Sequence, residues 1–195
     1  MTGKITNGKI YKNVGLRDGD LLVYTKPLGI GLISTALKAQ MATAEDIKAV
    51  TDTMTFSNKI ASEVMQKFDV SACTDITGFG LAGHAYEMAS GSDLTVIIES
   101  QQTEVLNGAY QYAKDFIIPA GAYANMEYLN NRCSYKTSAD NSHMVFFDPQ
   151  TSGGLLMSVS KSDSKAFLTA LRNEGIPANI IGQVTAKQDN DIIIL

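Results

Sequence analysis

Apolar runs of strand length alternate with longer helical stripes along the whole chain, and this alternation constrains the fold most. Runs of about four to eight apolar residues predict buried strands, whereas apolar residues three or four apart predict amphipathic helices. Strands are predicted over residues 20–25, 72–75, 94–98, 154–160, 180–184 and 192–194, the last two forming a pair. Helices are predicted over residues 32–39, 43–68, 81–89, 106–115, 122–131 and 163–173. Because no repeat, low-complexity tract or linker interrupts them, we expect one domain over residues 1–195, of α/β or α+β class.

The longest predicted helix carries its own start signal. Thr43 is a hydroxyl N-cap with Asp46 three residues later, the pattern of a capping box. The methionine-containing apolar stripe that follows is typical of core rather than of a ligand site.

Composition and charge exclude several classes of function. The 195 residues include 45% hydrophobic and 18% charged side chains, as in ordinary globular proteins. The net charge is −4 and no block of Lys or Arg stands out, so we expect no nucleic-acid partner. No apolar run approaches the ~18 residues of a membrane helix, and the first residues show no secretory signal. Cys73 and Cys133 have no zinc-like spacing, so we expect two reduced, buried thiols in a soluble, cytoplasmic protein.

Residues 74–84, TDITGFGLAGH, carry the first candidate site. Asp75 ends a predicted strand, and Gly78 and Gly80 lack the Cβ atoms that would keep a ligand from the backbone amides. The following helix directs its N-terminus the same way, which favours anions. Asp75 is therefore a candidate Mg²⁺ ligand beside bound phosphate, although Mg²⁺ needs further ligands. From the residues alone, turn and cap roles explain Asp75 and Thr77 more simply, and His84 is expected to be a packed, hydrogen-bonded histidine.

Two further stretches combine small residues with free backbone amides. Residues 148–156, DPQTSGGLL, place turn formers and hydroxyls just ahead of a strand. Their amides suit oxyanion contacts, and a tight structural turn explains them equally well. Residues 25–31, TKPLGIG, place Lys26 and a lone GxG between strand and helix, which standing alone is a weak phosphate signal.

Together the three stretches resemble the selenophosphate synthetases (selenide, water dikinases). Residues 74–88 are similar to the family signature TD(V/I)TGFGLxGHxxEM, and residues 148–156 match DPQTSGGLL. Residues 25–31 are similar to TKPLGTG, with Ile30 in place of threonine. All three occur in the family's order and spacing, and the resemblance extends from about Gly3 to the end of the chain. The related aminoimidazole ribonucleotide synthetases, thiamine-phosphate kinases and hydrogenase-maturation proteins share the fold but lack this full set.

The resemblance implies an α+β fold, a mixed β-sheet flanked by helices, like the C-terminal domain of that superfamily. It implies a reaction in which ATP, selenide and water give selenophosphate, AMP and phosphate. Asp75 would bind Mg²⁺ against the ATP phosphates together with aspartates of an N-terminal domain, and the full-length enzyme would be a homodimer. The residues that we expect to contact the nucleotide are Thr77, Gly78, Gly80, Thr151, Ser152 and Gly153.

We expect the chain to differ from the family by lacking the family's N-terminal domain. In the family, that domain carries the catalytic cysteine or selenocysteine, a neighbouring lysine, a glycine-rich segment and the other metal-binding aspartates. Neither Cys73 nor Cys133 lies in a context similar to that of the catalytic cysteine. Met1 resembles a start placed at a domain boundary. We therefore expect half an active site, with no catalytic residue and no activity by itself. The alternatives are a non-catalytic binding or regulatory module on the same fold, or a domain of another ATPase of the superfamily.

Overall fold

The structure, a computed structural model, describes residues 10–195. The strands are β1 (Leu21–Tyr24), β2 (Val70–Asp75), β3 (Leu94–Ile98), β4 (Cys133–Tyr135), β5 (Leu155–Val159), β6 (Asn179–Ala186) and β7 (Ile192–Ile194). The α-helices are α1 (Ile30–Lys38), α2 (Ala44–Thr55), α3 (Lys59–Met65), α4 (Gly80–Ser90), α5 (Ala109–Lys114), α6 (Ala120–Tyr128) and α7 (Ser164–Asn173). Short 3₁₀ helices cover Ser100–Gln102 and Ser142–Phe146.

The strands form one seven-stranded mixed sheet in the order β2-β5-β1-β6-β3-β7-β4. Neighbours are antiparallel from β2 to β3, and parallel from β3 through β7 to β4. Helices pack on this sheet, so the expected α+β class is confirmed. β2 and β4 are the two edge strands, and Asp75 lies at the end of one of them.

The predicted pairing of the last two strands is wrong. β6 is antiparallel to β3 and β7 is parallel to it, so β3 lies between them. The link between β6 and β7 crosses the start of β3, where the Thr95 hydroxyl accepts from Gln188 N and donates to Asn190 O. These two bonds hold the crossover in place, and no local sequence pattern signals them.

The predicted helix over residues 43–68 is in fact two helices, α2 and α3. The capping box at its start is confirmed: Thr43 Oγ1 accepts from Asp46 N at 3.1 Å, and Thr43 N donates to Asp46 Oδ2 at 3.1 Å. The helix is interrupted where Phe56 takes an extended conformation. Asn58 then donates from Nδ2 to Gly153 O at 2.9 Å. A contact with a residue distant in sequence is therefore made at the point where the helix stops.

Both faces of the sheet are covered, which explains the continuous apolar runs of its strands. Leu22 and Leu156 face the larger core with α1, α4, α5 and α6, whereas Val23 and Met157 face a smaller core with α3 and α7. Successive residues of β1 and β5 thus alternate between the two cores, as side chains in a strand must.

The two cysteines behave as structural thiols. Both are unpaired; Cys133 is buried, as expected, while Cys73 is only half-buried. Burial raises the pKa of each thiol to about 12, so neither carries thiolate at neutral pH. None of the helices in residues 10–195 combines the length and apolar character that spanning a membrane demands.

Candidate functional site

Asp75 is an exposed carboxylate at the end of edge strand β2. It pairs with Leu155 across the sheet, and the next residue, Ile76, donates its amide to Gly154 O at 2.9 Å. The 74–84 and 148–156 stretches are therefore joined by backbone hydrogen bonds at this point. Within residues 10–195 no three His, Cys, Asp or Glu side chains group closely enough to hold a metal ion. Asp75 can thus supply one ligand but not a complete site.

The two glycines of the turn after Asp75 have different roles. Gly80 has a φ of 69°, and a Cβ there would lie 2.8 Å from the Phe147 carbonyl carbon, so packing requires glycine. Gly78 is exposed, and a Cβ there would meet nothing within 4 Å. Asn125 holds this arrangement by donating from Nδ2 to Gly78 O and to Phe147 O, each at 2.9 Å. Only Gly78 therefore offers open backbone to a ligand.

Thr77 is oriented by a buried histidine, as predicted for His84. His84 Nε2 lies 3.0 Å from Thr77 Oγ1, and Nδ1 lies 3.3 Å from Glu87 Oε2. When Nδ1 carries the proton facing the Glu87 carboxylate, Nε2 accepts the hydroxyl proton of Thr77. The Thr77 oxygen then presents only lone pairs to the outside, which suits a metal-bound water better than a phosphate oxygen.

The turn over residues 151–153 lies beside Thr77. Gln150 N donates to Thr77 O at 2.9 Å, which fixes the turn against the residues that follow Asp75. Thr151 and Ser152 are exposed, whereas Gly153 is covered. Ser152 has a φ of 52°, an unusual conformation for a residue with a side chain. The structure therefore brings Asp75, Thr77, Gly78, Thr151 and Ser152 to one surface, with Gly80 and Gly153 packed behind them.

Asp148 is a structural carboxylate that sequence reasoning left without a role. It is 0% exposed, and its Oδ2 accepts from Gly31 N at 2.9 Å and from Gln150 Nε2 at 2.8 Å. It thereby caps α1, for which the N-cap residue Gly29 provides no side chain. Its other oxygen, Oδ1, is buried without a partner. Burial raises the pKa of Asp148 to about 7.

The GxG of residues 29–31 is used for packing. A Cβ on Gly29 would lie 2.5 Å from Ala109 Cβ, and one on Gly31 would lie 2.4 Å from Asp148 Oδ1. The Ile30 amide donates to Gln150 Oε1 at 3.4 Å, and the Gly31 amide is bound by Asp148. Since protein acceptors occupy these amides, the loop is not a phosphate cradle.

Lys26, which precedes that loop, lies next to the site, although the sequence offered it only as part of a weak phosphate signal. Its side chain lies under the 151–153 turn, where Nζ donates to Ser152 O at 2.7 Å and to Thr53 O at 3.0 Å. The burial of Lys26 is what points to a specific role, because lysine side chains are rarely enclosed, and this burial cannot be read from the sequence.

A cavity of about 710 Å³ lies far from these residues. Its lining includes Tyr110 of α5, Tyr135 of β4 and His143 of the second 3₁₀ helix. β4 is the edge strand opposite β2, so this cavity and Asp75 are separated by the width of the sheet.

Comparison with known proteins supports the family resemblance. Residues 17–194 match the family described as AIR synthase related protein, C-terminal domain. The chain is 42% identical over 195 residues to a selenide, water dikinase of Caldanaerobacter subterraneus subsp. tengcongensis, covering 100% of this chain and 57% of that protein. It is 44% identical over 187 residues to one of Clostridium botulinum, covering 95% of this chain and 54% of that protein. The chain thus spans about half the length of the curated relatives that it matches.

Solved structures show the same fold at low identity. A thiamine-monophosphate kinase from Stenotrophomonas maltophilia has a TM-score of 0.66 at 11% identity, covering 94% of this chain and 52% of that one. E. coli HypE, a hydrogenase maturation protein, has a TM-score of 0.64 at 18% identity, covering 95% and 50%. At these identities the likeness extends to the fold alone.

Proposed function

Because the chain belongs to the family of the AIR synthase related protein C-terminal domain, we propose that it is the C-terminal half of a selenide, water dikinase. In that reaction ATP, selenide and water give selenophosphate, AMP and phosphate. The observation that carries the proposal is a pair of backbone hydrogen bonds, Ile76 N to Gly154 O and Gln150 N to Thr77 O. They flank the open 151–153 turn and tie it to the strand end that carries the exposed Asp75. The identity of about 40% to selenide, water dikinases supports this choice of reaction.

The residues present fit part of a Mg²⁺–ATP site. Mg²⁺ commonly uses one or two protein carboxylates, with phosphates and waters completing its octahedron. Asp75 would be one such carboxylate, and the Thr77 oxygen would accept from a metal-bound water. When bound, the metal would neutralise charge that develops on the transferred phosphoryl group. The remaining carboxylates would come from the N-terminal part that the relatives possess in addition.

The backbone around Asp75 would position the phosphates. Gly78 allows close approach because it has no Cβ and nothing stands above it. The 151–153 turn would donate amide hydrogens to phosphate oxygens, as successive amides in a turn do at many anion sites. Gly80 acts behind this surface by letting neighbouring backbone pack closely, not by touching the nucleotide. Gly153 also allows close packing, against Ile76 O, while its amide belongs to the turn.

We propose that the chain by itself forms no AMP, since one carboxylate and two neutral thiols do not assemble this site. Its partner would be the N-terminal domain of the same enzyme, in a cytoplasmic homodimer. The purified chain is incubated with selenide, ATP and Mg²⁺, and AMP is measured. Sustained selenide-dependent AMP formation would contradict the proposal.

The positive test uses a fusion of this chain to the remaining part of the Caldanaerobacter enzyme. We expect the fusion to form AMP, and Asp75→Asn to abolish that activity while leaving folding unchanged within about 0.5 kcal/mol, because the residue is exposed. Asp18→Asn, which removes another exposed carboxylate elsewhere, serves as the matched control.

Two outcomes would overturn the assignment of Asp75. One is an Asp75→Asn fusion that keeps the full rate. The other is an Asp75→Asn chain that unfolds at much lower urea concentration, which would make the residue a structural cap. A folded fusion that forms no AMP would instead favour a non-catalytic module on the same fold.

A further inference from the structure

Lys26 is a buried cation without an acidic partner in the part of the chain that the structure describes. The residue is 3% exposed, and its Nζ donates to two carbonyl oxygens, those of Ser152 and Thr53. No carboxylate of residues 10–195 lies within ion-pair distance of it. Lysine is almost never enclosed unless paired, because removing an ammonium from water is costly. Burial accordingly lowers the pKa of Lys26. The two carbonyl oxygens accept its protons but do not neutralise its charge.

The contacts of Lys26 set the orientation of the turn above it. Lys26 draws the Ser152 carbonyl inward, and Asn58 Nδ2 draws the next carbonyl, that of Gly153, inward at 2.9 Å. These two bonds hold Ser152 at its positive φ, a conformation that is unfavourable for a residue with a side chain.

The inward Ser152 carbonyl implies an outward amide at the next residue, Gly153, whereas the Gly154 amide donates to Tyr24 Oη at 3.3 Å inside the protein. The peptide bonds are trans, so the Gly153 N–H points away from the Ser152 carbonyl and therefore away from Lys26. Residues 10–195 offer no hydrogen-bond acceptor to the amides of Thr151, Ser152 or Gly153. Covered and unpaired amides such as that of Gly153 are rare in proteins. The turn thus presents unused donors directly above a positive charge.

We infer that Lys26 is the positioning residue of an oxyanion site formed by the amides of residues 151–153, which takes the polyphosphate of a nucleotide. Lys26 fixes the turn with its amides outward and supplies positive charge beneath it. The inference deepens the proposed function and rests on it. The Gln150–Thr77 backbone bond fixes this site beside Asp75, so one phosphate chain would contact both. In a chain with a net charge of −4, such local charge is what allows an anion to approach.

The test uses the isotope-labelled 195-residue chain and tripolyphosphate, without metal, followed by amide NMR. We expect the signals of Thr151, Ser152 and Gly153 to move on titration in the wild-type chain. Lys26→Met should weaken this binding about tenfold, the size expected for losing one nearby charge. Lys48→Met, which removes the same charge from an exposed position on α2, should leave the affinity within about twofold of wild type.

A second variant keeps the inference testable if Lys26→Met does not fold. Asn58→Ala retains the buried charge but releases the Gly153 carbonyl, so the same three amide signals should shift and binding should weaken. The affinity should also fall less steeply with added salt in Lys26→Met than in wild type, because one ionic contribution is gone. A purely structural lysine would change stability without changing that salt dependence.

The outcomes separate this inference from the proposed function. If tripolyphosphate moves no amide of residues 151–153, or if Lys26→Met and Lys48→Met bind equally, the role of Lys26 is wrong and the Asp75 proposal is untouched. If Lys26→Met loses anion binding while the Asp75→Asn fusion keeps full activity, the anion site stands and the proposed metal site is wrong.

Discussion

Replacing Asp148 with asparagine should make the protein more stable at neutral and alkaline pH. The carboxyl is fully buried, and Oδ1 has no partner. Oδ2 accepts from Gly31 N and Gln150 Nε2, and the Leu32 backbone amide also lies close to the carboxyl. Asparagine keeps an acceptor oxygen for those two donors and, like the protonated acid, carries no charge. Asp148→Asn therefore mimics the form of Asp148 that the folded protein prefers.

The direction of the effect follows from the raised pKa. Between the ordinary pKa of 3.8 and the folded pKa of about 7, the folded state holds a proton that the unfolded state has released. The stability that Asp148 contributes is therefore complete below 3.8 and is lost as the pH rises through about 7. At about 1.4 kcal/mol for each pKa unit, the whole loss is about 4 kcal/mol, of which about 3 kcal/mol falls between about pH 5 and pH 8.

Urea unfolding of both proteins at several pH values measures this effect. The free energy of unfolding of Asp148→Asn minus that of wild type should grow by about 3 kcal/mol from about pH 5 to pH 8. Taking the difference removes the titration of all other groups. Asp18→Asn, which alters an exposed carboxylate, should show a nearly flat difference. A flat difference for Asp148→Asn, or destabilisation by the same amount at every pH, would refute the reasoning.

Three further predictions concern the fold. Gly31→Ala should lose about 1–3 kcal/mol in urea unfolding, because its Cβ would lie 2.4 Å from Asp148 Oδ1 and 2.6 Å from Pro149 O, whereas Gly78→Ala should unfold like wild type; equal values would contradict the packing. Thr43→Ala should lose about 1 kcal/mol by the same assay through removal of the capping box, and no loss would show that the box contributes nothing. Calorimetry should show one unfolding transition, since one sheet joins strands from both ends of the described chain, and two separated transitions would contradict a single cooperative unit.

Features set by local sequence were predictable. β1, β3 and β5 lie where apolar runs placed strands, and helix α2 begins at the capping box of Thr43 and Asp46. The turn after Asp75 follows from its glycines. In each case the determining residues lie within a few positions of one another, so the pattern can be recognised without knowing the rest of the fold.

Features set by distant contacts were not predictable. Asn58, which marks the break between α2 and α3, bonds a carbonyl 95 residues away. Lys26 reaches a carbonyl 126 residues away, and Asp148 caps α1 by accepting from the Gly31 amide, 117 residues earlier. β4 has only three residues, at a sheet edge, which is too short a segment for a strand pattern to be recognised. These residues acquire their roles only when the sheet brings separate segments together.

Close packing explains part of the sequence of the three stretches without reference to catalysis. Gly31 must be glycine because Asp148 lies against it. Gly80 must be glycine because the backbone of Phe147 lies against it. A protein that kept only the fold would need these pairs as much as an enzyme does. Evidence for the chemistry therefore rests on the residues whose identity packing does not explain. Those residues are Asp75, exposed at the end of an edge strand; Gly78, with open space above it; and Lys26, enclosed without an acidic partner in the described chain. Substitutions at these three positions distinguish half of a dikinase site from a binding module built on the same scaffold.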